Sequence, residues 1–243
     1  MIKRIGLGSI ILILLAAGPA IPNKVPKEHA EFTFARVSFT WFRGGGAING
    51  EGQAPWEHDY PRSEDFFLAM VGQVTGVSTN VEAYQVVDLD SSEIFKYPFL
   101  YFSEPGFMDL SNAEVKNLRD YFNNGGFAMF DDMRGRHLLN LETQLLRVFP
   151  ARELVRLQPK EPIFHSFYEI DSLEMAPPYP DQYGDGPSFW GMKDEKGRLI
   201  LVVNAANDFG EYWEDIDRGA EALHPAVQSF QFGVNYLVYA MTH

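Results

Sequence analysis

Two spacings of apolar residues take turns along this chain, one near two residues and one near three to four. Phe32–Phe42 sets Val37, Phe39 and Trp41 at alternate positions, as a strand with one buried face does. Ser63–Val74 instead carries Phe66, Phe67, Met70, Val71 and Val74 at helical spacing, with Gly76 where a C-terminal cap belongs. Val81–Val87 and Phe99–Phe102 predict a second and a third strand, the latter stopping at Ser103-Glu104-Pro105-Gly106. Ser111-Asn112-Ala113-Glu114 has the form of a capping box, in which hydroxyl and carboxylate each satisfy an orphan amide at a helix start. The helix it opens carries Val115, Leu118, Tyr121 and Phe122 and ends at Gly125-Gly126. Phe127–Phe130 predicts a fourth strand, and His137–Phe149 a helix stopped by Pro150. Pro162, Pro177, Pro178 and Pro180 mark an irregular stretch. A hairpin follows, Phe189–Lys193 turning at Asp194–Gly197 into Arg198–Val203, and Pro225–Met241 closes the chain as an apolar helix.

Strands alternating with helices predict an α/β fold: a three-layer sandwich around a mainly parallel sheet. In such sheets ligands bind beyond the carboxyl ends of the strands. Four polar segments follow strands here, Arg43–Gly46, Ser103–Gly106, Asp131–Gly135 and Asn204–Glu214. Parallel strands bring all four to one end, and that expected convergence defines the candidate site.

The first residues are set apart by their pattern. Met1–Arg4 is basic, Ile5–Ala17 is apolar apart from Gly and Ser, and Gly18-Pro19-Ala20 offers small residues for cleavage. This is the layout of a signal peptide, so residues 1–20 are expected to be removed, 21–31 to be a linker and 32–243 to form one domain. An uncleaved anchor is the rival, although the apolar run is short of the roughly 20 residues a membrane span prefers. The expected location is periplasmic or secreted, with membrane contact only through a retained signal segment. Loss of Lys3 and Arg4, with no acid, takes the formal net charge from −13 to −15. Such an acidic balance disfavours nucleic acid as a partner. With no cysteine, an exported chain must be stabilised by its core rather than by disulfides.

Asp131 and Asp132 are placed by this pattern at a strand-to-helix turn, as metal ligands, a general base, or a cap of the following helix. Asn204, Asn207, Asp208, Glu211 and Glu214 can offer oxygens to a hard cation, or form an acidic turn over packed Tyr212 and Trp213. Their spacing matches no EF-hand loop; no cofactor is expected, and a divalent cation is the open alternative. Arg134 or Arg136 can neutralise these acids instead. Glu104 joins them if the loops meet. Arg43, Gly44 and Gly45 open a stretch whose amides suit an anion or a tight turn. Trp56, His58, Asp59 and Tyr60 form a polar-aromatic loop, and His165 is a lone histidine. The ligand-binding candidates are thus Arg43, Gly44, Gly45, Asp59, Glu104, Arg134, His165, Asn204, Asn207, Asp208, Trp213 and Glu214, with Asp131 and Asp132 as catalytic candidates.

Several segments together resemble one bacterial family, domain of unknown function 4159. They are Phe34-Ala35-Arg36, Asp59-Tyr60-Pro61-Arg62, Tyr97-Pro98-Phe99, Gly125-Gly126-Phe127 leading to Asp131-Asp132, and Pro162-Ile163-Phe164-His165. Gly197-Arg198-Leu199, Asn207-Asp208-Phe209-Gly210 with Trp213-Glu214, and Tyr239-Ala240-Met241-Thr242-His243 complete the set. The resemblance spans roughly residues 32–243 and implies a fold similar to class I glutamine amidotransferases, a flavodoxin-like sandwich. It implies no activity, substrate or cofactor. Those amidotransferases carry a nucleophilic cysteine on the turn where this chain has Asp131-Asp132, and a carboxylate cannot form their thioester. Glutaminase activity is therefore not expected. The expectation is a non-catalytic envelope module that binds a small molecule, a glycan or an envelope protein. The alternative is a carboxylate- or cation-dependent hydrolase acting on sugar or cell-wall material.

Overall fold

The computed structural model describes residues 30–42, 53–176 and 186–243. Its strands are Phe34–Ser38 (β1), Tyr84–Asp88 (β2), Phe99–Ser103 (β3), Phe127–Met133 (β4), Val155–Arg156 (β5), Ser188–Lys193 (β6) and Leu199–Ala205 (β7). Its helices are Arg62–Val74 (α1), Asn112–Asn123 (α2), His137–Val148 (α3), Phe209–Glu214 (α4) and Ala220–Thr242 (α5). One sheet holds all seven strands in the order β2-β1-β3-β4-β7-β6-β5. β2, β1, β3, β4 and β7 are mutually parallel, and β6 and β5 extend the β7 side with antiparallel pairings.

Strand alternation sorts the core into two layers. Phe34, Phe99, Tyr101, Phe127, Met129 and Val202 face α1, α4 and α5, where Phe67, Trp213 and Phe230 pack against them. Ala35, Val37, Leu100, Phe102, Ala128, Phe130 and Val203 face α2 and α3. Helices on both sides give the three-layer α/β sandwich, and they explain why β3, β4 and β7 are buried along their whole length. The predicted capping box is present: Ser111 Oγ accepts from Glu114 N at 3.2 Å, and Glu114 Oε2 from Ser111 N at 2.7 Å.

Several predicted boundaries move. The second strand begins at Tyr84 rather than Val81, and the first is confined to Phe34–Ser38. α1 ends at Thr75 in extended conformation, with the Thr75 hydroxyl donating to Val71 O, so Gly76 is not a left-handed cap. The important correction concerns Asp131 and Asp132, which lie within β4 rather than on a turn after it. The N-cap of α3 is Arg136, so neither aspartate caps that helix. The expected leader, most of the linker, and Arg43, Gly44, Gly45 and Gly46 lie outside the described residues.

Candidate functional site

By alternation Asp131 continues the face of Phe127 and Met129, toward α1, α4 and α5. There it meets four donors: Tyr101 Oη at 3.1 Å, Asn204 Nδ2 at 2.8 Å, and the backbone amides of Phe209 and Gly210 at 2.8 and 3.1 Å. Asp131 thus binds the first turn of α4, a short helix that follows β7, and so ties two adjacent strand ends together. Burial and Asp208 push its pKa up to about 8, against the pull of Asn204 and the two amides. Asn204 is part of this scaffold, since its Oδ1 accepts from Tyr236 of α5 at 3.2 Å. Asn207 is scaffold as well: its Oδ1 accepts the Asp208 amide at 3.1 Å and its carbonyl accepts from Met133 N.

Asp132 departs from the alternation. The pairing of β4 with β7 shifts between Phe130 and Met133, and Asp132 takes a left-handed φ of 53°. Its side chain comes to lie among His58, Arg134 and Asp208. His58 Nδ1 stands 3.0 Å from Asp132 Oδ2 and 3.2 Å from Asp59 Oδ1. Arg134 approaches Asp132 Oδ1 at 3.6 Å and Asp208 Oδ2 at 3.9 Å. These are ion pairs by distance rather than aligned hydrogen bonds: His58 Nδ1, Asp59 Oδ2 and both oxygens of Asp132 are buried without a hydrogen-bond partner. Glu104, at the carboxyl end of β3, completes the cluster. Burial pushes its pKa up to about 7; His58 and Arg134 pull it down while Asp208 and Asp59 push it further up. Burial opposes protonation of His58, but Asp132 and Asp59 outweigh it and push its pKa up to about 12. Burial and the charge of Asp208 hold Asp59 and Asp132 well above the usual carboxylate range.

A second ion pair supports this site from below. Arg36, fully buried on β1, donates its Nε to Glu64 of α1 and its Nη2 to Ser63 Oγ at 3.0 Å. Its Nη1 donates to the carbonyls of Trp56 and His58 at 2.9 and 2.8 Å, which fixes the loop carrying His58 and Asp59. Gly210 leaves room for that loop, because a Cβ there would lie 2.4 Å from Asp59 Oδ2.

Among the described residues, Asp59, Glu104, Asp131, Asp132, Arg134, Asn204, Asn207 and Asp208 come together at this end of the sheet, whereas the fourth expected segment, Arg43–Gly46, lies outside them. Three other candidates stand apart. Trp213 is fully buried in the aromatic core, stacked on Phe67 with centroids 4.4 Å apart, and lines no open cleft. Glu214 points to Arg218 at the far end of α4, and His165 faces Glu169 and the Pro159 carbonyl. Sequence reasoning named His58 only as part of a loop and missed Arg36, Glu64 and Tyr101. One signal was available for Arg36: a lone charge inside an apolar strand requires a buried partner.

Fold and site together define an α/β sandwich with an acidic, histidine-containing cluster where the parallel strands end. The family model for the domain of unknown function DUF4159 matches residues 33–241, and the chain belongs to that family. No curated protein matches the chain.

Proposed function

We propose that this chain is an exported, non-catalytic binding module of the cell envelope, and that its ligand docks on the cluster of His58, Asp59, Glu104, Asp132 and Asp208. One observation carries this reading. Four non-glycine residues among those described have left-handed φ angles: Asp59 at 62°, Glu104 at 46°, Asp132 at 53° and Ala206 at 52°. Each costs on the order of 1–3 kcal/mol, and such strain collects at functional sites. Three of the four are acids of this one cluster, and Ala206 lies between its supports Asn204 and Asn207. In their ionised form these carboxyl groups only accept hydrogen bonds, so the matching ligand brings donors or positive charge, as the hydroxyls and amines of an envelope glycan do. The order of the parallel strands, β2-β1-β3-β4-β7, supports the finer flavodoxin-like, class I glutamine amidotransferase-like assignment. It puts the cluster beside the switch point between β1 and β3.

The test is co-sedimentation of the full-length chain with isolated cell-wall glycan, comparing wild type with Glu104→Gln and Asp132→Asn. Retention of wild type, weakened in both folded variants, is expected; no retention, or equal retention of all three, would overturn the glycan assignment. N-terminal mass spectrometry of envelope-fractionated protein checks export, with a start near Ile21 expected. The hydrolase alternative is favoured by Glu104, which burial pushes up to about 7, a value suited to a general acid. Release of soluble glycan fragments, abolished by Glu104→Gln, would establish that alternative in place of a passive module.

A further inference from the structure

Two structural observations at the cluster point to an ion. Asp132 is 1% exposed, yet neither of its carboxylate oxygens has a hydrogen-bond partner, and both face the cluster. Its charge is met only by the ion-pair contacts of His58 at 3.0 Å and Arg134 at 3.6 Å, which leave both oxygens without an aligned donor, a costly arrangement for a buried acceptor. The donor atoms around it already have coordination spacing. One ligand atom each from His58, Asp132 and Asp208 lie within 4.8 Å of one another, and His58 Nδ1 and Asp132 Oδ2 are 3.0 Å apart. Two donors bound to one ion at about 2.1 Å each are separated by about 3.0–3.4 Å. The 3.0 Å edge is therefore both an ion-pair distance and a ligand–ligand distance.

We propose that His58, Asp132 and Asp208 bind one first-row divalent transition-metal ion, of the zinc or manganese class. The donor set selects that class. One imidazole nitrogen with two carboxylates is a mixed N/O site, whereas calcium and magnesium take oxygen donors. Glu104 and Asp59 are carboxyl neighbours of Asp132 that interact with it electrostatically. Arg134 neutralises the same oxygens, but at 3.6 and 3.9 Å and with 40% of its side chain exposed. Those long contacts can yield to an ion bonded at close range. This inference rests on reading the cluster as a binding site, and it names the ligand that the chain's own side chains take.

The experiment is titration calorimetry on the untagged, full-length chain stripped with chelator, using Zn²⁺, Mn²⁺, Mg²⁺ and Ca²⁺ alone. Metal content per chain is measured in parallel. One equivalent of Zn²⁺ is expected, bound at least tenfold tighter than Mg²⁺ or Ca²⁺. His58→Gln and Asp132→Asn should each weaken binding at least tenfold, and Arg134→Ala should strengthen it. Metal-free His58→Gln and Asp132→Asn should each keep the wild-type far-UV circular dichroism and a cooperative melt, which guards against misreading an unfolded variant. Absence of stoichiometric binding overturns the proposal. So does binding that both variants retain, or a preference for Mg²⁺ or Ca²⁺. Glycan retention that is sensitive to Asp132→Asn but indifferent to chelator would sink the metal site and leave the binding-module reading intact. Zinc binding without glycan retention would do the reverse.

Discussion

Replacing Arg36 by Met isolates the ion pair beneath the site. The substitution keeps most of the apolar stem and removes a guanidinium that serves Glu64, Ser63 Oγ and the carbonyls of Trp56 and His58. Glu64 then retains one donor, Ser63 Oγ at 2.9 Å, while remaining fully buried. Breaking a buried pair by removing one partner costs roughly 3–5 kcal/mol. Loss of the guanidinium over the Tyr101 ring, 4.8 Å from its centroid, adds on the order of 1 kcal/mol. The two freed carbonyls belong to half-buried residues of the loop. A total of about 4–6 kcal/mol corresponds to a Tm roughly 8–24 °C lower for a chain of this size. Urea denaturation of Arg36→Met against the double variant Arg36→Met/Glu64→Gln measures it, and the double variant should recover about 2 kcal/mol because the stranded charge is gone. With its anchor lost, the loop should also move His58 away from Asp132, changing the His58 side-chain NMR signals in both variants. A loss below about 1 kcal/mol in the single variant, or a double variant no better than the single one, would refute this account.

Glu104 carries a pH signature, since its folded pKa of about 7 lies above the ordinary 4.5. A carboxyl raised in the folded state contributes stability that is complete below the unfolded pKa and disappears as pH rises through the folded one. Between pH 4.5 and 7, metal-free wild type should therefore lose on the order of 3 kcal/mol more than Glu104→Gln; parallel urea midpoints for the two would contradict the assignment. Gly210→Ala should displace Asp59, because the new Cβ would sit 2.4 Å from its Oδ2 and 2.9 Å from the Tyr101 hydroxyl. The expected cost is about 1–3 kcal/mol by chemical denaturation, together with weaker metal binding. Ser111→Ala should cost about 1 kcal/mol through loss of the α2 cap and leave metal affinity unchanged, as thermal melts and calorimetry can check.

Local pattern was enough to find most of the elements, though not β5 or the short helix α4, and to point to the end of the sheet where the candidate cluster lies. The helical spacing of residues 63–74, the capping box at Ser111–Glu114 and the apolar runs at 99–102, 127–130 and 198–203 act over a few residues, so sequence alone displays them. Parallel order then follows from the alternation of strands and helices, and with it the meeting of Glu104, Asp132 and Asp208 at one end. Other features were set by contacts between residues far apart in the chain. Asp132 turns toward His58 through a shift in the β4–β7 register and a left-handed backbone, which depend on the neighbouring strand. Asp131 and Asp132 are adjacent in sequence yet separate in role, one holding α4 and the other facing His58. Trp213 resembled a site aromatic beside three acids, but the face of α4 that packs on Phe67 decided its burial. Arg36 and Glu64, 28 residues apart, are joined only when α1 folds onto β1. A carboxylate's chemistry is written in its residue type. Whether it caps a helix, pairs with an arginine or faces an ion depends on which donors the fold brings within about 3 Å of it.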